Sequence, residues 1–406
     1  MRYIIVGLTD DTRPVMDAAV LDAIDRCRLF SGGMRQHIIV APLLPIGSRW
    51  IDIVAPIDDV LRQYEEAAEE EMMVFASGDP LFYGIAATIR ARDPKAPMTI
   101  YPVMNSLETL AHRLLMPYHD MRMVSLTGRP WHLFDGALIE GCGKIGILTD
   151  RDHTPRAIAD RMMSYGYGQY VMHIGERLGG GMERVTTMSL ADAARYDAAT
   201  PNCVIVEGTP RERRWGIDDT EIEGLPGRPG MMTKKPIRLL TIEALDLRRH
   251  DMLVDVGFCT GSVSIEAKLQ FPHIAVVAVE VREECRRIMT RNMQRHGAAG
   301  ISVVTGDFMD YDIGGLDAVY TRITGLRRKA RMAFFIGGHG GMLAPMMARI
   351  AGVMARGDVM VMNSVAEQSR RVFEQTAAAT GLRMAAPMEV TIDHYNMITI
   401  MKCEKD

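Results

Sequence analysis

Short apolar runs alternate along the chain with longer stretches in which apolar residues recur every three or four positions. The runs have the length of buried strands, and the stretches have the periodicity of helices. This alternation predicts an α/β fold. In the first half, the predicted strands are Tyr3–Val6, Trp50–Val54, Met72–Ala76, Thr99–Val103, Lys144–Thr149, Tyr170–Ile174 and Cys203–Glu207. The predicted helices there are Val15–Arg26, Asp58–Glu71, Phe82–Arg92, Leu107–Leu115 and Pro155–Tyr165, with a polar loop over Gly7–Arg13.

The second half repeats the alternation. Its predicted strands are one that ends in Asp255 and Gly257, then Ile274–Val279, Ile301–Val304, Phe334–Ile336, Val359–Met362 and Met397–Lys402. Its predicted helices are Ile237–Leu245, one that opens at Ser262, Arg282–His296, Met342–Ala355 and Ala366–Thr380. For the fourth strand the pattern alone leaves two candidates open, Asp317–Tyr320 and Ala333–Ile336.

The division of the chain into domains follows from its length and from one polar segment. A chain of 406 residues is too long for one ordinary core. The segment between Pro210 and Pro236 is rich in arginine, glycine and proline and has few apolar anchors, which is typical of an exposed connector. We therefore predict a domain over 1–210, a linker over 211–230 and a second domain over 231–406.

Composition narrows the classes of partner and location. The net charge of −4 does not favour nucleic acid or an anionic membrane as a partner. The six cysteines form no Cys-x-x-Cys pair, so we expect a reducing compartment and no metal site. The chain opens on a strand that runs to a glycine turn, and it has no apolar run of about 18 residues. These features predict a cytoplasmic protein without a signal peptide or a membrane span.

The most informative feature is the turn from Asp255 to Gly261, which joins an apolar strand to a helix. Such a turn brings a nucleotide-like cofactor to a helix N-terminus. The next strand ends in Glu280, whose carboxylate can accept two hydrogen bonds from a ribose diol, and the third strand ends in Gly306-Asp307. Phe258 and Cys259 interrupt the glycine pattern that a dinucleotide phosphate needs. The pattern therefore favours S-adenosyl-L-methionine over NAD, although an ordinary strand-to-helix turn has the same outline.

Two further segments are candidates for contact with substrate. The glycines Gly337, Gly338 and Gly340 surround His339 at the end of the predicted fourth strand, where bare backbone can lie beside a transfer site. His339 can bind a carboxylate or move a proton, and the alternative is a solvent-exposed loop histidine. Arg327 and Arg328 precede this loop and can bind a polyanionic substrate, although most arginine clusters are solvated surfaces.

A third turn, Ser77–Gly84, leads from a strand into a helix of the first half. Proline at the start of a helix fits the first helical turn. Asp79 is best explained by the pattern alone as the cap of that helix.

Both halves together resemble the fused precorrin-6Y methyltransferases (decarboxylating) of cobalamin biosynthesis, over essentially the whole chain. The first half resembles the tetrapyrrole methylases and the second half a Rossmann-like decarboxylating methyltransferase domain. In the first half the resemblance rests on Val74–Gly84 (VFASGDPLFYG), Ser125–Pro130 (SLTGRP), His153–Ile158 (HTPRAI) and Ile174–Gly179 (IGERLG). In the second half it rests on Met232–Arg238 (MTKKPIR), Asp255–Glu266, Asn292–Gly297 (NMQRHG), Phe335–Gly341 (FIGGHGG) and Asn363–Val365 (NSV).

The resemblance implies two S-adenosylmethionine sites, one for each half. The first domain would methylate carbon 5 of a precorrin ring, and the second would methylate carbon 15 and remove carbon dioxide from the ring C acetate. By motif match, the cofactor contacts of the second half are Thr233, Gly257, Phe258, Cys259, Thr260, Gly261, Glu280 and Asp307. Those of the first half are Gly78, Asp79, Leu81 and Ser106. The family also implies a homo-oligomer, a dimer or a tetramer, and favours Ala333–Ile336 as the fourth strand.

The chain departs from the family pattern in two loops of the first half. Gly7–Asp11 replaces a Gly-x-Gly-Pro-Gly loop, and Pro102–Ser106 replaces a Pro-Gly-x-Ser-Ser loop. These departures leave open whether the first domain is active. A methyltransferase of RNA or protein would have a basic domain or an Asn-Pro-Pro-Tyr-like motif, and neither is present. A non-catalytic binding protein is the other alternative. The sequence also leaves open the presence of cobalt in the substrate and the order of the methylations.

Overall fold

A computed structural model describes residues 1–9, 11, 14–392 and 396–406, and it has the predicted α/β class with three mixed or parallel sheets. The strands are β1 Arg2–Leu8, β2 Leu29–Gly32, β3 Arg49–Asp52, β4 Glu71–Ser77, β5 Met98–Tyr101, β6 Arg122–Ser125, β7 Lys144–Leu148, β8 Tyr170–Glu176, β9 Arg184–Ser189, β10 Asn202–Gly208, β11 Met252–Val256, β12 Ala275–Glu280, β13 Ile301–Thr305, β14 Met332–Ile336, β15 Val359–Ser364, β16 Arg383–Met384, β17 Met388–Val390 and β18 Ile398–Glu404. The helices are α1 Ala18–Arg26, α2 Met34–Val40, α3 Ile57–Glu66, α4 Ile85–Arg92, α5 Ser106–Arg113, α6 His132–Glu140, α7 Pro155–Ser164, α8 Leu190–Ala193, α9 Lys235–Ala244, α10 Ser262–Gln270, α11 Glu283–His296, α12 Leu316–Thr324, α13 Leu343–Val353 and α14 Glu367–Ala379. Short 3₁₀ helices lie at Ala41–Leu43, Asp219–Glu221 and Ile313–Gly315.

The chain divides into two compact units. The first comprises Met1–Thr127, Lys144–Ile158 and Val171–Glu207. The second comprises Gly128–Gly143, Ala159–Tyr170 and Gly208–Asp406. The domain boundaries that the sequence suggests, at 210 and 231, stay a prediction. None of the helices in the described ranges has both the length and the apolar character that crossing a bilayer requires.

The first unit contains a parallel sheet with strand order β3-β2-β4-β1-β5 and a mixed sheet with order β6-β7-β10-β8-β9. Consecutive residues of β1 point to opposite faces of the parallel sheet, and both faces are covered. Tyr3 and Ile5 pack into one buried cluster, whereas Ile4 and Val6 pack into another. This double burial explains why the strand is a continuous apolar run.

The second unit is built on an eight-stranded sheet with the order β13-β12-β11-β14-β15-β18-β16, and β17 pairs with β18. Strands β11 to β15 are parallel to their neighbours in this order, while β18 runs antiparallel to β15. Val256 at the end of β11 is in register with Val279 of β12 and Ile336 of β14. The carboxyl ends of these strands therefore meet at one edge of the sheet, which is where α/β sheets bind ligands.

Several predicted elements need correction. Helix α3 ends at Glu66 and not at Glu71, because Ala67 has an extended backbone and Glu71 already belongs to β4. Helix α4 begins at Ile85 and not at Phe82, and α1 begins at Ala18. The sequence pattern did not predict β2, α2, β6, α6, β9 or α12. The polar loop predicted over Gly7–Arg13 begins later than expected, because Gly7 and Leu8 belong to β1. The loop residues Asp10, Thr12 and Arg13 lie outside the described residues.

The structure decides between the two candidates for the fourth strand. Ala333–Ile336 lies within β14, and Asp317–Tyr320 lies within the helix α12. The expectation of an exposed connector with few apolar anchors is wrong for part of the segment before α9. Ile217, Ile222 and Leu225 are buried in the same apolar cluster as residues of β12.

Candidate functional site

A cavity of about 670 Å³ lies at the carboxyl edge of the large sheet. The loops after β11, β12, β13 and β14 all contribute to its wall, together with the segment before α9. Of the residues predicted to bind cofactor or substrate, it brings together Thr233, Gly257, Phe258, Cys259, Glu280, Asp307, Gly337, Gly338, His339 and Gly340. Residues that sequence reasoning missed also line it, among them Met231, Arg282, Met342, Met346 and Val281. These share no motif, so only the fold could place them here.

The loops after β11 and β14 are in backbone contact at Gly257 and Gly338. Gly257 has a φ of +75°, and a Cβ atom there would lie 2.7 Å from the Gly338 nitrogen and 2.8 Å from its oxygen. Any side chain at Gly257 would therefore push the two loops apart. The predicted contacts Thr260 and Gly261 are outside the cavity wall, since Thr260 is fully buried and Gly261 precedes α10 with its backbone facing Met289.

Asp255 gives the cavity a buried carboxyl group. Its Oδ2 accepts a hydrogen bond from Ser264 Oγ at 2.6 Å, and its Oδ1 has no hydrogen-bond partner among the described residues. Burial raises the pKa of Asp255 to about 7, the bond from Ser264 lowers it, and the charge of Glu280 raises it further. An arriving cation would favour the ionised form of this group.

The Glu280 carboxylate lies at the end of β12 and is 5% exposed. The backbone N–H of Arg282 donates to Oε1 and that of Cys259 donates to Oε2, both at 3.2 Å. The Arg282 guanidinium donates to the same two oxygens, through Nε at 2.9 Å and through one terminal nitrogen at 2.8 Å. Burial raises the pKa of Glu280, but these hydrogen bonds and the charge of Arg282 outweigh it and hold the pKa below its ordinary value. Glu280 is thus held as an anion in the cavity wall.

Cys259 occupies the left-handed region of the backbone map with a φ of +52°. Its thiol donates a hydrogen bond to the Met231 carbonyl oxygen at 3.1 Å, so the side chain joins the loop after β11 to the segment before α9. Burial raises the pKa of this thiol, although the charge of Arg282 lowers it. The Cys259 side chain is therefore part of the cavity wall, where it is bonded to the segment before α9.

His339 is half-buried within its glycine-rich loop. The Gly341 N–H donates to Nδ1 of the ring at 3.2 Å, and the Met342 N–H donates to the His339 carbonyl oxygen at 2.7 Å. Because Nδ1 accepts, the proton of the neutral imidazole is assigned to Nε2. The ring thus has a fixed tautomer with a donor at Nε2.

The predicted substrate contacts Arg327 and Arg328 are separated from this cavity. They precede β14, whereas the glycine-rich loop follows it, and a five-residue strand is about 16 Å long. Arg328 forms a fork-shaped ion pair with Asp251, which precedes β11. Both arginines therefore lie at the amino-terminal edge of the sheet, because β11 and β14 are parallel.

The predicted first-half contacts lie in the loop after β4 and at the start of α5 in the first unit. Gly78 has a φ of +64°, and a Cβ atom there would lie 3.1 Å from the Asn105 Cα atom. A Cβ atom at Gly7 would lie 2.1 Å from the Gly78 oxygen, so the end of β1 and the loop after β4 approach as backbone only. Ser106 opens α5, the Asn105 side chain caps that helix, and the Asn105 N–H donates in return to the Glu108 carboxylate. These contacts bring Gly78 and Ser106 into neighbouring loops.

Asp79 makes a local turn and does not cap α4. Its Oδ1 accepts a hydrogen bond from the Leu81 N–H at 2.8 Å, whereas the residue that precedes α4 is Gly84. Leu81 and Tyr83 are exposed, whereas Pro80 between Asp79 and Leu81 is buried. The helix-cap interpretation is therefore wrong, since the helix starts several residues later than the pattern suggested.

Comparison with known proteins identifies the family. A profile described as a precorrin methyltransferase domain matches residues 227–398, the range that contains the cavity. A cobalt-precorrin-7 C(5)-methyltransferase of Salmonella typhimurium (strain LT2) is 30% identical over 181 residues, which cover 45% of this chain and 87% of that protein. The chain belongs to the precorrin methyltransferase family. It is therefore a methyltransferase.

Two longer relatives are similar across more of the chain. A precorrin-6Y C(5,15)-methyltransferase [decarboxylating] of Sinorhizobium sp is 31% identical over 286 residues, which cover 68% of this chain and 67% of the relative. A protein of the same name from Mycobacterium tuberculosis (strain CDC 1551 / Oshkosh) is 31% identical over 246 residues, which cover 59% of this chain and 60% of the relative. The matched part thus spans about two thirds or less of these methyltransferases.

Proposed function

We propose that this chain is a bifunctional S-adenosylmethionine-dependent methyltransferase of cobalamin biosynthesis. It methylates a precorrin ring, with or without cobalt, at carbons 5 and 15 and removes carbon dioxide from the ring C acetate. The observation that carries the proposal is the cavity in which Gly257, Glu280 and the loop around His339 meet, inside the range that matches the family profile. The names of the two longer relatives specify the same pair of carbons.

The chemistry of the cavity fits S-adenosylmethionine. Asp255 has a buried oxygen without a described partner, which suits a cationic ligand, and Glu280 supplies a carboxylate for a ribose diol. Gly257 leaves room for the cofactor to approach the backbone. When bound, S-adenosylmethionine supplies an activated methyl group. The strand order of the large sheet supports assigning the second domain, over 231–406, to the Rossmann-like class.

The residues of the chain have two tasks in the reaction. The glycine-rich loop at 337–341 exposes backbone beside the cavity, so a large flat substrate can lie close to the loop after β11. Positioning of this kind supplies most of the rate enhancement that an already activated group needs. His339 donates a hydrogen bond through Nε2–H to the acetate carboxylate and so orients it. Loss of carbon dioxide leaves an electron pair that the conjugated ring receives, and the former acetate carbon then takes a proton from water.

The first domain, over 1–210, would hold the carbon 5 site in the loops that contain Gly78, Asp79, Leu81 and Ser106. The similarity to the Salmonella typhimurium C(5)-methyltransferase supports a carbon 5 activity of the chain. A cytoplasmic location and a homo-oligomeric state stay predictions from the sequence.

Mass spectrometry of the corrinoid product tests the proposal with the full chain. We expect the product to have gained two methyl groups and lost one carbon dioxide. A gain of one methyl with loss of carbon dioxide would restrict the activity to the second domain. Calorimetric titration with S-adenosylhomocysteine provides the binding readout.

In that titration, Glu280→Ala should weaken the affinity for S-adenosylhomocysteine at least about tenfold, because a buried charged hydrogen-bond acceptor is lost. Glu283→Gln is the matched control, since Glu283 is an exposed carboxylate at the start of α11 that is absent from the cavity wall. If Glu280→Ala binds as the wild type does, the assigned cofactor site is wrong.

A further inference from the structure

The acceptor positions of Glu280 are already filled by groups of the chain itself. Each oxygen of the carboxylate accepts one backbone N–H and one guanidinium N–H of Arg282. An ionised carboxylate has about four lone-pair sites, two on each oxygen. The four donors in the structure therefore saturate it.

A ribose diol can bind to both oxygens of Glu280 only if two of these donors leave. The two backbone N–H groups belong to the loops after β11 and β12 and are fixed by the sheet. The Arg282 side chain is 39% exposed, whereas that of Glu280 is 4% exposed. The guanidinium is thus the donor that can move into solvent while the carboxylate and the backbone bonds stay in place.

We propose that Arg282 is an internal competitor of the cofactor, whose guanidinium occupies the ribose position on Glu280 and is displaced when the cofactor binds. This inference deepens the proposed function and rests on it. In the free protein the Arg282 guanidinium offsets the free-energy cost of burying the charged Glu280 carboxylate. It also keeps this carboxylate in the cavity wall. The bound sugar replaces a charged donor pair by two neutral hydroxyl donors.

The exchange has a signature in its dependence on salt. The contact between Arg282 and Glu280 is an ion pair at a partly exposed position, so dissolved salt weakens it. A bond from a neutral sugar hydroxyl to the same carboxylate is much less sensitive to salt. The affinity for the cofactor should therefore increase with salt concentration as long as Arg282 is present.

Calorimetric titration of the full chain with S-adenosylhomocysteine tests this exchange at low and at high sodium chloride. For Arg282→Gln we expect about fivefold tighter binding than for the wild type at low salt, because a partly exposed ion pair contributes up to about 1 kcal/mol. The wild-type affinity should increase at high salt and approach that of the variant, which itself should change little. A merely structural role of Arg282 would not produce this convergence.

Arg286→Gln is the matched control. Arg286 lies one turn further along α11, forms an exposed ion pair with Glu283 and is absent from the cavity wall. The Arg286→Gln variant should bind S-adenosylhomocysteine as tightly as the wild type does at both salt concentrations. If Arg282→Gln binds equally well or more weakly than the wild type at low salt, the competition does not exist. If the wild type itself fails to bind S-adenosylhomocysteine, the proposed function is wrong, which is a separate outcome.

Discussion

The Arg328 guanidinium holds the Asp251 carboxylate through both terminal nitrogens, at 2.7 and 2.8 Å. Asp251 is buried and also accepts a hydrogen bond from the Arg331 backbone N–H at 3.0 Å. The bonds from Arg328 lower the pKa of Asp251 far below its ordinary value, although burial opposes them. This pair ties the loop before β14 to the residue before β11, so Arg328 has a structural task.

Replacing this arginine should therefore affect stability and leave cofactor binding unchanged. Arg328→Gln should lower the free energy of unfolding at neutral pH by about 1 kcal/mol, because it removes a charge-assisted pair from a partly exposed position. Urea titration gives the stability, and calorimetry with S-adenosylhomocysteine gives the affinity. Arg327→Gln, at the exposed neighbouring position, is the control. Loss of cofactor affinity with unchanged stability would contradict the structural role.

Glu266 should be among the most sensitive positions of the second unit. It is fully buried and accepts hydrogen bonds from Gly216 N–H, Ile217 N–H and Arg238 Nε, at 3.0, 2.8 and 3.2 Å. Glu266→Gln keeps the volume of the side chain but removes the negative charge that compensates the buried Arg238 guanidinium. We expect the free energy of unfolding to fall by about 3 kcal/mol in urea titration.

The control for Glu266 is Glu223→Gln, which removes an exposed ion pair with Arg291. Glu223→Gln should lower the free energy of unfolding by at most about 1 kcal/mol. Equal losses for the two variants would show that the buried network contributes no more than a surface pair.

The carboxyl group of Asp255 should make stability depend on pH. Its pKa is about 7 in the folded protein and near 3.8 as the ordinary value of an aspartate. Since the folded pKa is the higher one, the protonated Asp255 carboxyl contributes to the stability of the folded protein. This contribution is complete below about pH 4 and is lost as the pH rises through about 7. Asp255→Asn should remove this loss, so the stability difference between variant and wild type should change across that interval in urea titrations. A constant difference would contradict it.

Binding of a cationic cofactor should release the proton of Asp255. At pH 6 the wild type should release protons when it binds S-adenosylmethionine, because a cation favours the carboxylate. Calorimetry in buffers of different ionisation enthalpy measures this release. Asp255→Asn should show a smaller release, and equal release by both proteins would exclude Asp255 as its source.

The backbone contact at Gly257 should not tolerate a side chain. Gly257→Ala places a methyl group against the Gly338 backbone in a left-handed conformation, so we expect a loss of at least about 2 kcal/mol in unfolding free energy and a loss of cofactor affinity. Gly340→Ala is the control for backbone conformation alone. Gly340 has a φ of +51° with no atom within 4 Å of an added Cβ, and its replacement should cost about 1 kcal/mol.

His339 should be needed for decarboxylation and not for cofactor binding. His339→Gln should slow the release of carbon dioxide by about tenfold, because the flexible glutamine amide does not hold an N–H group where the imidazole holds Nε2–H against the acetate carboxylate. Mass spectrometry of the product over time measures this rate, and calorimetry should give an unchanged affinity for S-adenosylhomocysteine. His119→Gln, at an exposed position of the first unit, is the control. An unchanged rate in His339→Gln would remove this residue from the reaction.

The large sheet and its binding edge were readable in the sequence because burial and strand position leave direct traces. Strands β11, β12 and β14 are buried on both faces and are therefore continuous apolar runs. Their parallel arrangement brings the residues that follow them to one edge. The spacing of Gly257 and Glu280 thus predicted neighbours that line one cavity.

Other features leave no such trace. Helix α6 is buried on nearly every side, so it lacks the polar face that makes a helix recognisable by its periodicity. Strand β2 has only four residues. Arg328 is close in sequence to the glycine-rich loop, but β14 separates them in space. Arg282 carries no motif, and only the folded chain reveals that its guanidinium turns back onto Glu280.

The anchoring of residues 216–219 determines where the second half can be cut from the rest of the chain. Arg238 donates to the Ile217 carbonyl oxygen and to Asp219, and Glu266 accepts from the N–H groups of Gly216 and Ile217. A truncated protein that began at Met231 would retain both buried charges without these partners and would be less stable. A recombinant second half has to begin upstream of Gly216 to keep them.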